Sequence, residues 1–163
     1  EQHLIRRVGV GLVVGATLLA MAFALGVARP GLSLAGSSGG SANRDTALAE
    51  VSIEVDNWGV WPEQVVSVDT HERGLTVTDA VLVPDRLGPG GHGTLNVSLT
   101  VDCSVRTDEE WQEVFDTGSV AGDGQQPRRT VRTQRPWGSV ARTWDTDAVG
   151  VVAFNVCLPD SLD

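Results

Sequence analysis

Two cysteines could form a disulfide in this sequence. Cys103 and Cys157 are the cysteines of the chain, and an oxidising compartment would allow them to pair. In a reducing compartment they would instead be two free, buried thiols. A bridge would close a loop of about 55 residues. By reducing the conformational entropy of the unfolded chain, it would stabilise the fold by roughly 4 kcal/mol.

Five tryptophans are the residues best suited to contact a ligand. Large aromatic side chains exposed on loops can stack on sugars or anchor a protein partner. The alternative is that they close the ends of the hydrophobic core. Trp58 and Trp61 stand three residues apart around a turn signal, and Trp137 stands beside another. We predict these three as contact residues.

A cluster of arginines is the third candidate. Arg128, Arg129, Arg132 and Arg135 stand together in a chain of net charge -9. On a strand, Arg128 and Arg132 would share one face, and the other two would share the opposite face. Arg128 and Arg132 are therefore candidates for binding anionic polymers or lipid headgroups. The alternative is surface ion pairing with the acidic run 108–113, which would stabilise little. The overall acidity argues against nucleic acid as a partner.

No motif predicts catalysis, a metal or a cofactor. The three histidines lack HxH or HExxH spacing, and no set of four zinc ligands is apparent. No GxSxG elbow is present, although the members of a catalytic triad meet only in space. Loop carboxylates could bind Ca²⁺, but none has the spacing of an EF-hand. We predict a protein that is not an enzyme and that has no metal and no cofactor.

An uncharged apolar run covers residues 8–28. About 20 such residues span a bilayer core near 30 Å as a helix. Arg6 and Arg7 precede the run and predict a cytoplasmic N-terminal segment, residues 1–7. The chain is thus predicted to be a single-pass plasma-membrane protein with an extracellular C-terminal domain. A cleavable signal peptide is the alternative, because small residues stand near the end of the run. Both interpretations export the rest of the chain.

The remaining chain divides into a linker and one domain. Residues 29–46 are rich in Gly and Ser and predict a flexible tether. Residues 47–160 alternate apolar and polar positions with a period of two, which is typical of strands. The positions predicted to face the core are Val51, Ile53, Val55, Val66, Val68, Leu75, Val77, Val81, Val83, Leu95, Val97, Leu99, Val101 and Cys103. Weaker patterns predict four further strands: WQEVF, residues 111–115; RRTVRTQ, residues 128–134; SVARTW, residues 139–144; and VGVVAFNVC, residues 149–157.

The fold class predicted by these patterns is all-β, preceded by one N-terminal transmembrane helix. Seven to eight short strands with turn signals between them, and no amphipathic helix, favour a β-sandwich over a barrel. The stretch EVDNWGVWPEQVVSVD, residues 54–69, resembles the opening of many bacterial immunoglobulin-like domains. There an alternating strand meets Asn-x-Gly, then Pro, then a second alternating strand. The chain also resembles uncharacterised membrane-anchored proteins of high-GC Gram-positive bacteria. The resemblance implies an immunoglobulin-like β-sandwich and says almost nothing about function.

These features predict an extracytoplasmic interaction module without catalytic activity. Its partners would be the lipid bilayer and another envelope protein, or further copies assembling in the membrane. The alternative function is a carbohydrate-binding module that recognises cell-wall polysaccharide through its loop tryptophans.

Overall fold

The computed structural model describes residues 13–18, 20–21, 31–34, 38–117, 129–136, 138–144 and 147–158. These residues contain eight named strands and two named helices. The strands are β1 (Leu32–Ser33), β2 (Ser38–Asn43), β3 (Leu48–Asn57), β4 (Gln64–Thr70), β5 (Leu75–Val83), β6 (His92–Val101), β7 (Arg129–Arg135) and β8 (Gly138–Trp144). The helices are α1 (Asp108–Thr117) and α2 (Asp147–Cys157), and a 3₁₀ turn covers Cys103–Val105.

Two antiparallel sheets make up most of the body. The large sheet has the order β1-β3-β6-β5, with β2 also paired to β3. The small sheet has the order β4-β7-β8. The sequence predicts an all-β fold, and the structure confirms a mostly β body with two antiparallel sheets.

One hydrophobic core joins both sheets and both helices. The central strands β3 and β6 pair along their whole length and turn alternate side chains inward, as their sequence period predicts. Val51 and Leu95 are 0 % exposed, and the small sheet adds Val68 and Val131 to the same cluster. The predicted inward positions of β3 and β6 are therefore correct.

Helix α1 replaces a predicted strand over WQEVF, and that prediction is wrong. The Thr107 hydroxyl accepts from the Glu110 N–H at 3.3 Å, while the Glu110 carboxylate accepts from the Thr107 N–H at 2.8 Å. This reciprocal capping box satisfies two backbone donors at the start of the helix. Trp111 and Val114, one turn apart, are 1 % and 2 % exposed and bury the helix against the core.

Helix α2 replaces the strand predicted over VGVVAFNVC, and that prediction is also wrong. A short apolar run is ambiguous between a buried strand and a buried helix. The helix buries Val149, Val152, Ala153, Phe154 and Val156, so it is apolar around most of its circumference. Tertiary packing thus overrides the β-preference of valine here.

Part of the segment predicted as a flexible tether lies in the large sheet. Strand β1 pairs with the end of β3, and β2 pairs with its first half. Leu32 is 2 % exposed and belongs to the core. Gly40 lies so close to α2 that a Cβ there would be 2.4 Å from Val152 Cγ2. Gly40 therefore allows α2 to pack closely against β2, and this role does not require a flexible segment.

Bulges decide which valines of β4 and β5 face inward. The register of β4 shifts between Val65 and Ser67, and Val66 is 58 % exposed. The register of β5 shifts between Val77 and Asp79. One extra residue reverses the faces of all that follow. Leu82 is therefore buried, and the prediction that Val66, Val81 and Val83 face inward is wrong.

The predicted membrane segment lies largely outside the described residues. Residues 13–18 and 20–21 are helical, and they expose apolar side chains: Val13, Val14, Leu18 and Met21. Within the described part of the chain, no helix has both the length and the apolar character needed to cross a bilayer.

Candidate functional site

A buried asparagine organises the turn that carries the two neighbouring tryptophans. We call residues 57–62 the tryptophan turn. Asn57 ends β3 and is 1 % exposed. Its Nδ2 donates to the carbonyls of Trp61 and Leu87 at 2.8 and 2.9 Å, and its Oδ1 accepts from the Gly59 N–H at 2.9 Å. One side chain thus ties both ends of the turn together.

Backbone hydrogen bonds hold the same turn from both sides. On one side the Trp58 N–H donates to the Gly31 carbonyl at 2.8 Å, which extends the pairing of β1 with β3. On the other side the Asn57 N–H donates to the Gly91 carbonyl at 2.9 Å, and the Gly90 N–H donates to the Asn57 carbonyl at 2.8 Å. The tryptophan turn is therefore fixed at its start to two other segments of the chain.

The two tryptophans of this turn reach the surface. Trp58 is 61 % exposed and Trp61 is 37 % exposed, whereas Trp111 is 1 % exposed. The core-closing interpretation is thus correct for Trp111 and does not fit Trp58. Trp137, the third predicted contact, lies outside the described residues, and nothing is described of the Trp144 side chain.

A hydrogen-bonded pair of side chains, Asp56 and His92, lies on the outer face at the end of β3. Asn57 points inward, so its neighbour Asp56 points outward from the end of β3. His92 lies directly opposite Asp56 in the sheet register, and its Nδ1 pairs with the Asp56 carboxylate. The exposed indole of Trp58 thus lies near groups that donate and accept hydrogen bonds.

A buried ion cluster lies directly after the tryptophan turn. Glu63 is 1 % exposed, and one of its carboxylate oxygens is 2.6 Å from Nε and 2.5 Å from Nη2 of Arg135. Nη2 of Arg142 is 3.7 Å from the same oxygen, and its Nη1 donates to the Leu32 carbonyl at 2.5 Å. Burial lowers the pKa of Arg142, and the Glu63 carboxylate opposes that shift. The cluster joins β7, β8 and β1 beside the turn.

The arginine cluster divides as its strand period predicts, but the partners differ from those expected. Arg132 is exposed on the outer face of β7, while Arg129 and Arg135 are 0 % and 9 % exposed on its inner face. Arg129 Nε lies 2.7 Å from a carboxylate oxygen of Glu72, and Glu63 pairs with Arg135. Arg128 lies outside the described residues. The sequence carries no local signal for these pairs, because their members are 57 and 72 residues apart.

The predicted disulfide is present at the opposite end of the body. Cys103 and Cys157 are bonded, and their Cα atoms are 5.2 Å apart. Cys103 follows the end of β6, where that strand pairs with the beginning of β3. The tryptophan turn follows the other end of β3. The bridge therefore links the last residue of α2 to the end of the large sheet that lies far from the tryptophans.

Neither a metal site nor a comparison with known proteins assigns a function to the chain. In the part of the chain that the structure describes, no three His, Cys, Asp or Glu side chains gather to hold a metal ion. The chain matches no protein-family model and no curated protein sequence. The resemblance to bacterial immunoglobulin-like domains therefore stays a prediction.

Proposed function

We propose that this chain is a membrane-anchored, extracytoplasmic interaction module without catalytic activity, and that the tryptophan turn is a contact surface toward another component of the cell envelope. The observation that carries the proposal is the exposure of Trp58 on a turn whose backbone is locked by the buried Asn57. A contact residue that is held rigidly before binding loses little conformational entropy when it binds. Tryptophan is also the residue type most enriched among the dominant contacts of interfaces.

The anchor and the location rest on sequence and on the disulfide. The run 8–28 has the length and composition of a bilayer-spanning helix with a cytoplasmic N-terminus. The bond between Cys103 and Cys157 is expected to persist in an oxidising compartment. Membrane retention of the full chain after alkaline extraction is the expected result. Release of the chain into the soluble fraction would contradict the retained anchor and favour the cleaved signal peptide.

We also propose that the body is a variant of the immunoglobulin-like β-sandwich. Two antiparallel sheets that share one core support this, as does the strand–turn–strand stretch around Asn57, Gly59 and Pro62. Helices α1 and α2 are departures from an all-β body.

Site-specific photocrosslinking of the full chain in its own cells tests the contact surface. A photoreactive phenylalanine derivative replaces Trp58 in one variant and Leu48 in the control. Leu48 is 39 % exposed and lies at the other end of β3, so it matches an exposed apolar position away from the turn. We expect adducts from position 58 and much weaker adducts from position 48. Equal crosslinking at both positions would contradict a specific surface.

The chemistry of the adduct separates the leading function from its alternative. A protein adduct at position 58 supports contact with an envelope protein or assembly in the membrane. A glycan adduct supports the carbohydrate-binding module. The polar side chains of Asp56 and His92 near the exposed Trp58 favour that second candidate, because an indole stacks on a sugar ring while polar groups hydrogen-bond to its hydroxyls.

A further inference from the structure

We propose that the tryptophan turn rests in the lipid headgroup layer of the same membrane that holds residues 8–28. This inference rests on the anchor in the proposed function and names the partner of the same surface. The tryptophan turn would contact the phospholipid headgroups of the membrane in which the chain's own anchor lies. Three features carry it: the length of chain between the apolar run and the body, the direction in which the chain leaves the body, and the chemistry of the exposed side chains.

The connection between membrane segment and body is very short. The apolar run ends at Ala28, and Gly31 is already a buried part of the body. Three residues span at most about 11 Å even when fully extended. Gly31 is held tightly, because a Cβ on it would lie 1.6 Å from Glu63 Oε1. A headgroup layer is roughly 5–8 Å thick on each side of a bilayer. The body therefore lies directly on the membrane surface.

The direction of β1 selects which end of the body faces the lipid. Strand β1 runs antiparallel to β3, and Gly31 lies opposite Trp58 through the hydrogen bond from the Trp58 N–H. Followed backward from Leu32 to Gly31, the chain therefore runs toward the end of the sheet where β3 finishes and the tryptophan turn begins. The Arg142 guanidinium fixes this direction by donating to the Leu32 carbonyl. The disulfide end faces away from the bilayer.

The side chains at that end suit an interface between lipid and water. Tryptophan is enriched at the headgroup level because its ring is apolar while its N–H can hydrogen-bond to water or phosphate. Trp58 and Trp61 extend from the end that the short connection brings to the surface. In the sequence, Arg29 directly follows the apolar run, and a cation at that point of the chain is suited to anionic lipid headgroups.

Fluorine NMR on the full chain in lipid vesicles tests the placement. The chain carries fluorotryptophan, and its signals are assigned with Trp58→Phe, Trp61→Phe and Trp111→Phe variants. The vesicles contain phosphatidylcholine and phosphatidylglycerol, with and without a lipid whose headgroup carries a gadolinium chelate. We expect the Trp58 signal to broaden several-fold more than that of Trp111, which lies at the far end and contacts the Cys103 carbonyl.

Flotation of the same vesicles separates the two proposals. If the chain floats with the lipid but Trp58 and Trp111 broaden equally, the headgroup contact is overturned while the anchor stands. If the chain does not float, the anchor fails and the headgroup contact fails with it. Selective broadening of Trp58 and Trp61 in floated vesicles supports both.

Discussion

Glu63 and Arg135 form an ion pair inside the body, where 1 % and 9 % of their side chains are exposed. A second buried pair, Glu72 with Arg129, repeats the arrangement. The two arginines stand at the first and last positions of β7, and the two glutamates flank β4, the strand beside it. A buried ion pair thus connects β4 and β7 at each end of the small sheet.

Removing one member of the first pair should destabilise the fold strongly. Glu63→Ala leaves the buried guanidinium of Arg135 and the half-buried guanidinium of Arg142 without their carboxylate, and we expect a loss of about 3–5 kcal/mol in unfolding free energy. Urea unfolding of the full chain in detergent micelles measures it. The control is Arg132→Ala on the exposed face of the same strand, with an expected change within about 0.5 kcal/mol. Equal stability of the two variants would contradict a stabilising role for the Glu63–Arg135 ion pair.

Two adjacent glycines offer a matched test of the packing of α2 on β2. A Cβ at Gly40 would lie 2.4 Å from Val152 Cγ2 and 2.7 Å from the Glu50 carbonyl oxygen, whereas a Cβ at Gly39 would meet nothing within 4 Å. We expect Gly40→Ala to lower the unfolding free energy by about 1–3 kcal/mol and Gly39→Ala to change it little. The same urea titration compares them. A flexible tether would tolerate both substitutions equally.

The capping box of α1 should contribute measurably to stability. Thr107→Ala removes the acceptor for the Glu110 N–H, and we expect a cost of about 1 kcal/mol. Thermal unfolding followed by circular dichroism measures it, with Thr76→Ala on an exposed strand position as the control. If Thr107→Ala unfolds at the control temperature, the box does not stabilise the helix.

The disulfide should stabilise the body through the unfolded chain. The bonded residues are 54 positions apart, and a loop of that size corresponds to roughly 4 kcal/mol. We expect the double variant Cys103→Ser, Cys157→Ser to lose about that much unfolding free energy. Mass analysis of the exported wild-type chain under non-reducing conditions should find no free thiol. Two free thiols would contradict the bridge in the cell.

Asp102 should titrate below its usual range because of Ser104. The hydroxyl and N–H of Ser104 donate to one Asp102 oxygen at 2.7 and 3.0 Å, and these hydrogen bonds lower the pKa of Asp102 below 3.8. A carboxyl group whose pKa is lower in the folded state than in the unfolded state stabilises the fold at pH values above its unfolded-state pKa. That stabilisation is lost as the pH falls through the folded-state pKa. We expect Ser104→Ala to raise the Asp102 pKa, measured by NMR titration of its carboxyl carbon. An unchanged pKa would show that other groups set it.

Local signals in the sequence determined the central strands, and one further local signal marks the start of a helix. The alternation in β3 and β6 has the period of a strand with one buried face, so Val51 and Leu95 could be placed inside from spacing alone. The start of α1 was also present locally, because Thr107 followed by Glu110 is a capping box ahead of Trp111. A strand interpretation of WQEVF overlooked that signal.

Tertiary structure decided the features whose cause is distant in the chain. Helix α2 carries a valine-rich sequence that suits either a strand or a helix, and its packing against Gly40 and the core selects the helix. Bulges near Val66 and Thr78 reverse which side chains face inward, and alternation alone does not locate them reliably. The burial of Arg129 and Arg135 depends on Glu72 and Glu63, far away in sequence, because a charge enters a core only when the fold brings it a partner.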